Sequence, residues 1–86
     1  MGPYKVTLAR SARRELEHLP EPLQSRVLRR IEALGSIPRP GGCRKLEGAE
    51  DLWRIRIGEY RLIYSIDDSR QMIDISIIRH RSDAYR

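Results

Sequence analysis

Leu52-Trp53-Arg54-Ile55-Arg56-Ile57-Gly58-Glu59-Tyr60-Arg61-Leu62-Ile63-Tyr64 contains two runs that alternate with period two. Both are rich in β-branched and aromatic residues, and Gly58-Glu59 divides them, which is the pattern of an antiparallel hairpin. With Gly58 at the first central position of a type II′ turn, Ile57 pairs with Tyr60 and the register behind the turn follows. One face then carries Trp53, Ile55 and Ile57 across from Tyr64, Leu62 and Tyr60, an apolar surface suited to packed helices. On the other face Arg56 lies opposite Arg61, with Arg54 two residues along the same strand. Like charges opposed in a sheet destabilise it by about 0.2–1 kcal/mol, so a sequence that keeps the pair points to an absent anion. The competing reading is that the arginines splay into water or pair with Asp74, which the next hairpin places on the same face.

Working outward, residues 4–8 predict a short strand, and Leu8, Ala12, Leu16 and Leu19 then fall at helical spacing. Ala9 occupies the cap position and signals that helix poorly, whereas Pro20 and Pro22 mark its end, the second placed for the first turn of a new helix. In the second helix Leu23, Val27, Ile31 and Leu34, with Leu28 beside them, form an apolar stripe, while Arg26, Arg29, Arg30 and Glu32 face outward. Gly35 and Pro38 stop it, and Pro38-Arg39-Pro40-Gly41-Gly42 is the clearest loop. Downstream, residues 72–78 form a third alternating run after the turn Asp67-Asp68-Ser69-Arg70. The expected architecture is α+β: an N-terminal strand, a helical hairpin, then an antiparallel meander packed on the helices. Strict alternation puts Arg79 with Ile73, Ile75 and Ile77 on the helix-covered side, so a bulge or strand end near Ile78 is needed to turn it around.

At 86 residues the chain has room for one domain, 1–86, with one modest core. Its 17 Lys+Arg against 12 Asp+Glu give a formal charge of +5, and only Lys5 and Lys45 are lysine; arginine is the cation suited to forked phosphate recognition. The lone Cys43 cannot form an intrachain disulfide, and no Cys/His set has metal-ligand spacing, which fits a reducing compartment and a cytoplasmic location. Neither an apolar signal segment nor a membrane-length apolar run is expected.

The hairpin motif, followed by Arg79-His80-Arg81-Ser82-Asp83-Ala84-Tyr85-Arg86, closely resembles the RelE group of the RelE/ParE toxins of prokaryotic toxin–antitoxin pairs. Ser11-Ala12-Arg13-Arg14-Glu15-Leu16 with Leu19-Pro20, Pro38-Arg39-Pro40 and Lys45-Leu46-Glu47-Gly48 match the same family, so the resemblance runs in order along nearly the whole chain. It implies an endoribonuclease that cleaves messenger RNA in the ribosomal A site, driving the ribose 2′-hydroxyl against the adjacent phosphate with no metal or other cofactor. It also implies that Arg54 and Arg56 stand for two basic strand residues, Arg61 for a phosphate-gripping arginine, Arg79 for a second catalytic arginine and Tyr85 for an aromatic that stacks on a base. Arg44, Lys45 and Arg81 join Arg54 as RNA-binding candidates.

Arg56 stands where some catalytic relatives have lysine, and a guanidinium, protonated below a pKa of about 12, is a poor general base. A histidine side chain has an unperturbed pKa of about 6.5, which makes His80 the candidate proton shuttle; otherwise electrostatics and ribosomal groups carry the reaction. The main alternative is a ParE-like toxin that binds DNA gyrase, against which the Arg54, Arg56, Arg61 and Arg79 set argues. A further alternative is a relative that binds RNA or its antitoxin without cutting. In either case the resemblance implies a cognate RelB-like antitoxin, whose acidic or amphipathic segment covers the arginine face, displaces the Tyr85 tail, or does both.

Overall fold

The computed structural model describes residues 2–48 and 51–82. In chain order these form β1 (Lys5–Leu8), α1 (Arg10–His18), α2 (Leu23–Leu34), β2 (Arg44–Lys45), β3 (Leu52–Ile57), β4 (Tyr60–Asp67) and β5 (Met72–His80). The strands make one sheet in the order β1-β5-β4-β3-β2. The meander β3-β4-β5 is antiparallel, as the alternation predicts, and β1 adds in parallel to the far edge of β5. Among the described residues no helix is long and apolar enough to cross a membrane.

Local chemistry explains where the elements begin and turn. Ala9 precedes α1 with an extended backbone and no side-chain cap. Pro22 occupies the cap position of α2 rather than its first turn. Glu21 supplies what proline lacks: its Oε1 accepts the Ser25 backbone N–H at 2.9 Å and its Oε2 the Ser25 hydroxyl at 2.6 Å, which serves donors at a helix start that have no partner within the helix. Gly58 has φ +60 while Glu59 stays at negative φ, the combination a type II′ turn requires. At the β4–β5 turn Asp67 Oδ1 accepts the Ser69 hydroxyl and the Arg70 N–H, and Gln71 takes up positive φ.

The core lies between the helices and one face of the sheet. Ala12, Val27, Ile31 and Leu34 from the helices are buried, together with Ile55, Ile57, Leu62, Tyr64, Ile73, Ile75 and Ile78 from the sheet. Leu28, beside the apolar stripe in sequence, is 42% exposed. Ile63 pairs with Ile77 but Tyr64 pairs with Ile75, so Ser76 is an extra residue in β5. The buried positions accordingly run Ile73, Ile75, then Ile78. This bulge comes slightly earlier than the alternation suggested, and it swings the end of β5 round so that Arg79 pairs with Arg61.

Two features exceed the sequence reading. β2 is a two-residue strand on the outer edge of β3, pairing Arg44 with Arg54 and Lys45 with Trp53. The parallel pairing of β1 is the other: it sets Thr7 against Asp74, whose Oδ1 accepts the Thr7 hydroxyl at 2.8 Å. The carboxylate that the competing reading assigns to the arginines thus accepts a hydrogen bond from β1.

Candidate nucleic-acid interface

The face of the sheet away from the helices is built on two rows of arginine. Arg56, Arg61 and Arg79 are direct cross-strand partners on β3, β4 and β5, and neighbouring strands lie about 4.8 Å apart, so the three stems rise within about 10 Å. One step along, Arg44 of β2 is opposite Arg54 of β3. Arg56 and Arg79 are exposed and Arg54 and Arg61 half-buried. The Nε atoms of Arg54 and Arg61 are withdrawn from solvent, so the stems of these two forks are packed before any ligand arrives.

Two clefts open beside these rows. The smaller, about 100 Å³, is lined by Arg56, Gly58, Glu59, Tyr60, Arg61 and Arg81. The larger, about 490 Å³, is lined by Arg30, Gly41, Gly42, Arg44, Arg54, Ile55 and Arg56. Arg56 borders both. Among the described residues no group of three or more His, Cys, Asp or Glu side chains is placed to hold a metal ion. The arrangement can therefore neutralise an anion from several directions, each fork offering planar, bidentate donation.

Of the other candidates, His80 and Lys45 separate from this set, whereas Arg81 stays at the rim of the smaller cleft. Register puts His80 opposite Tyr60, on the helix-covered side of the sheet, and the two rings meet edge to face at 5.3 Å. Its Nδ1 lies 2.8 Å from the Ser82 hydroxyl and accepts the Ser82 N–H at 3.3 Å. His80 is thus turned from the arginine row by strand alternation. Lys45 pairs with Trp53 and falls on that same side. Arg81 closes the end of the sheet, its Nε 2.8 Å from Glu59 Oε2 and its N–H bonded to the Glu59 carbonyl. Tyr85 lies outside the described residues.

The segment from Pro38 to Gly42, a loop by its composition, is pinned at three points. Tyr64, fully buried, donates its hydroxyl to the Pro38 carbonyl at 2.8 Å, and burial raises its pKa, keeping the phenol protonated as the donor. Arg39 lies over the Trp53 ring, 4.9 Å from its centroid, and pairs with Asp68 at 2.9 Å. Tyr4 donates to the same carboxylate. The Arg39 hydrogen bond, then that of Tyr4, holds the Asp68 carboxyl below its ordinary value of 3.8. A depressed carboxyl contributes stability above its unfolded pKa and loses it as pH falls through the folded value. The urea midpoint is therefore expected to fall further for wild type than for Asp68→Asn on going from about pH 6 to about pH 3. Equal falls would show that the clamp carries no acid-sensitive stability.

Comparison with known proteins agrees with this architecture. Residues 6–85 match the family described as ParE toxin of type II toxin-antitoxin system, parDE. "Toxin RelE" of Mycobacterium tuberculosis is 33% identical over 85 residues, covering 98% of this chain and 88% of that protein. "Toxin RelG" of the same organism is 34% identical and covers 98% of each. Among solved structures, the archaeal RelE–RelB complex from Pyrococcus horikoshii superposes with a TM-score of 0.82 at 32% identity, covering 92% of this chain and 96% of that one.

Proposed function

The chain belongs to the RelE family within the RelE/ParE superfamily, toxins of type II toxin–antitoxin systems, and on that premise we propose that it is an endoribonuclease cleaving messenger RNA at the ribosome. The observation that supports this reading is the Arg56–Arg61–Arg79 row, three cations on facing residues of adjacent strands. In the proposed step the ribose O2′ forms a bond to phosphorus and the P–O5′ bond breaks, leaving a 2′,3′-cyclic phosphate and a 5′-hydroxyl. The proton lost from the 2′-hydroxyl and the one gained by O5′ balance. Arg61 grips the phosphate, Arg56 and Arg79 stabilise the charge on the pentavalent phosphorus, Arg54 holds the flanking backbone, and Tyr85 stacks on a base to set an in-line approach. Guanidiniums act here as fixed charge, not as bases. The reading invokes no metal or other cofactor, and the whole of residues 1–86 acts as one cytoplasmic domain.

His80 is given no part in proton transfer, because its ring is directed to Tyr60 and Ser82. His80→Gln is expected to retain cleavage within about threefold of wild type, since a positioned proton donor or acceptor contributes at least about 10²; a hundredfold loss with intact folding would restore it as a shuttle.

The solved RelE–RelB complex supports a cognate antitoxin for this chain, and we infer that an acidic or amphipathic segment of it lies over the arginine rows. The direct test of the activity is primer-extension mapping of message ends after induced expression, with gyrase supercoiling assayed in parallel. New ends within translated codons are expected. Gyrase inhibition with intact messages would replace this reading with a ParE-like one.

A further inference from the structure

β2 pairs with β3 only as far as Arg54, so the edge of β3 from Ile55 onward has no strand beside it among the described residues. The larger cleft opens into that gap. Four arginines reach it from three elements: Arg30 from α2, Arg44 from β2, and Arg54 and Arg56 from β3. Among the described residues its lining contains no carboxylate. Gly41 and Gly42 form the loop wall, and a Cβ built on either meets no atom within 4 Å, so that wall stays low and wide.

We propose that this groove is a second phosphate-binding subsite, in which Arg30 and Arg44 hold the backbone of single-stranded RNA at a linkage beyond the one gripped by Arg61. The proposal rests on the nuclease reading and extends its substrate path. Arg56 borders both clefts, so a strand gripped in the row can continue past it over the open edge of β3 without leaving cationic surface. Arg30 is half-buried beside other arginines, an arrangement of like charges that an anion relieves. RNA suits the groove better than an acidic peptide does. A peptide adding to a strand edge draws specificity from side-chain pockets, whereas Ile55 is the one apolar side chain of this lining among the described residues. Repeating phosphates need only the cations.

The test uses the full chain and a short single-stranded RNA carrying 2′-O-methyl groups throughout, which binds but cannot be cut by its own 2′-oxygens. Arg30→Ala is expected to weaken its binding about three- to fivefold and to lower the slope of log K against log salt by about 0.7. Gly41→Glu adds a carboxylate where there is open space, and is expected to weaken binding at least as much with an unchanged unfolding midpoint. Wild-type RNA affinity in both variants overturns the subsite. So does an acidic peptide that binds wild type and neither variant while RNA binding persists in both. Failure of the nuclease reading is distinguishable: RNA binding that depends on Arg30 in a protein that cuts no message removes the enzyme and keeps the RNA groove.

Discussion

Arg61→Ala is expected to lower message cleavage by about 10²–10³-fold, the cost of removing one preorganised donor from a developing oxyanion. Arg61 is the central member of the row, partnered by Arg56 on one side and Arg79 on the other, so a phosphate held by any two of the forks lies against it. Its stem is packed, which holds its fork in place before a phosphate arrives. Primer extension after induction should show wild-type ends vanish, and cells should resume growth. Arg61→Glu should do the same more completely, because it opposes the phosphate as well as releasing it. Undiminished cleavage by Arg61→Ala would remove the row from the mechanism.

Tyr64→Ala is expected to have the largest effect on stability. Tyr64 is the largest fully buried side chain of the core, and truncating a buried aromatic costs about 3–5 kcal/mol, against a total of only about 5–15 kcal/mol for a domain. At about 4–8 °C per kcal/mol for a chain of this size, the melting temperature should fall by more than about 12 °C. Tyr64→Phe keeps the ring and loses the donor to the Pro38 carbonyl, an expected cost of about 1 kcal/mol. Both are best measured by thermal and urea unfolding in the Arg61→Ala background, which is expected to permit expression. A Tyr64→Phe loss as large as that of Tyr64→Ala would place the energy in the loop tie rather than in core packing.

Much of this was legible in the residues because it rests on short-range rules. Gly58 fixes the turn, the turn fixes the register, and the register puts Arg56 opposite Arg61. The need for an irregularity before Arg79 could also be read, since three isoleucines set one phase and the arginine another. What was not legible depends on which pieces of chain meet. β2 is two exposed residues, too short to show a period. The parallel partner of β5 lies far back in sequence, beyond any local signal. His80 and Lys45 looked basic and near the motif, yet pairing with Tyr60 and Trp53 sends them through the sheet. Arg30 reads as outward-facing on a helical wheel, and a wheel cannot show that the neighbouring strand edge lies open. The Arg39–Asp68–Tyr4 clamp joins three segments that no motif connects.

The extra residue at Ser76 divides β5 into two reading frames. Before it, odd-numbered positions answer to the interior; after it, even-numbered ones do. Substitutions in one half are thereby uncoupled from the parity rule of the other, so the arginine-bearing end can be recoded during evolution or engineering while the hydrophobic end keeps its alphabet.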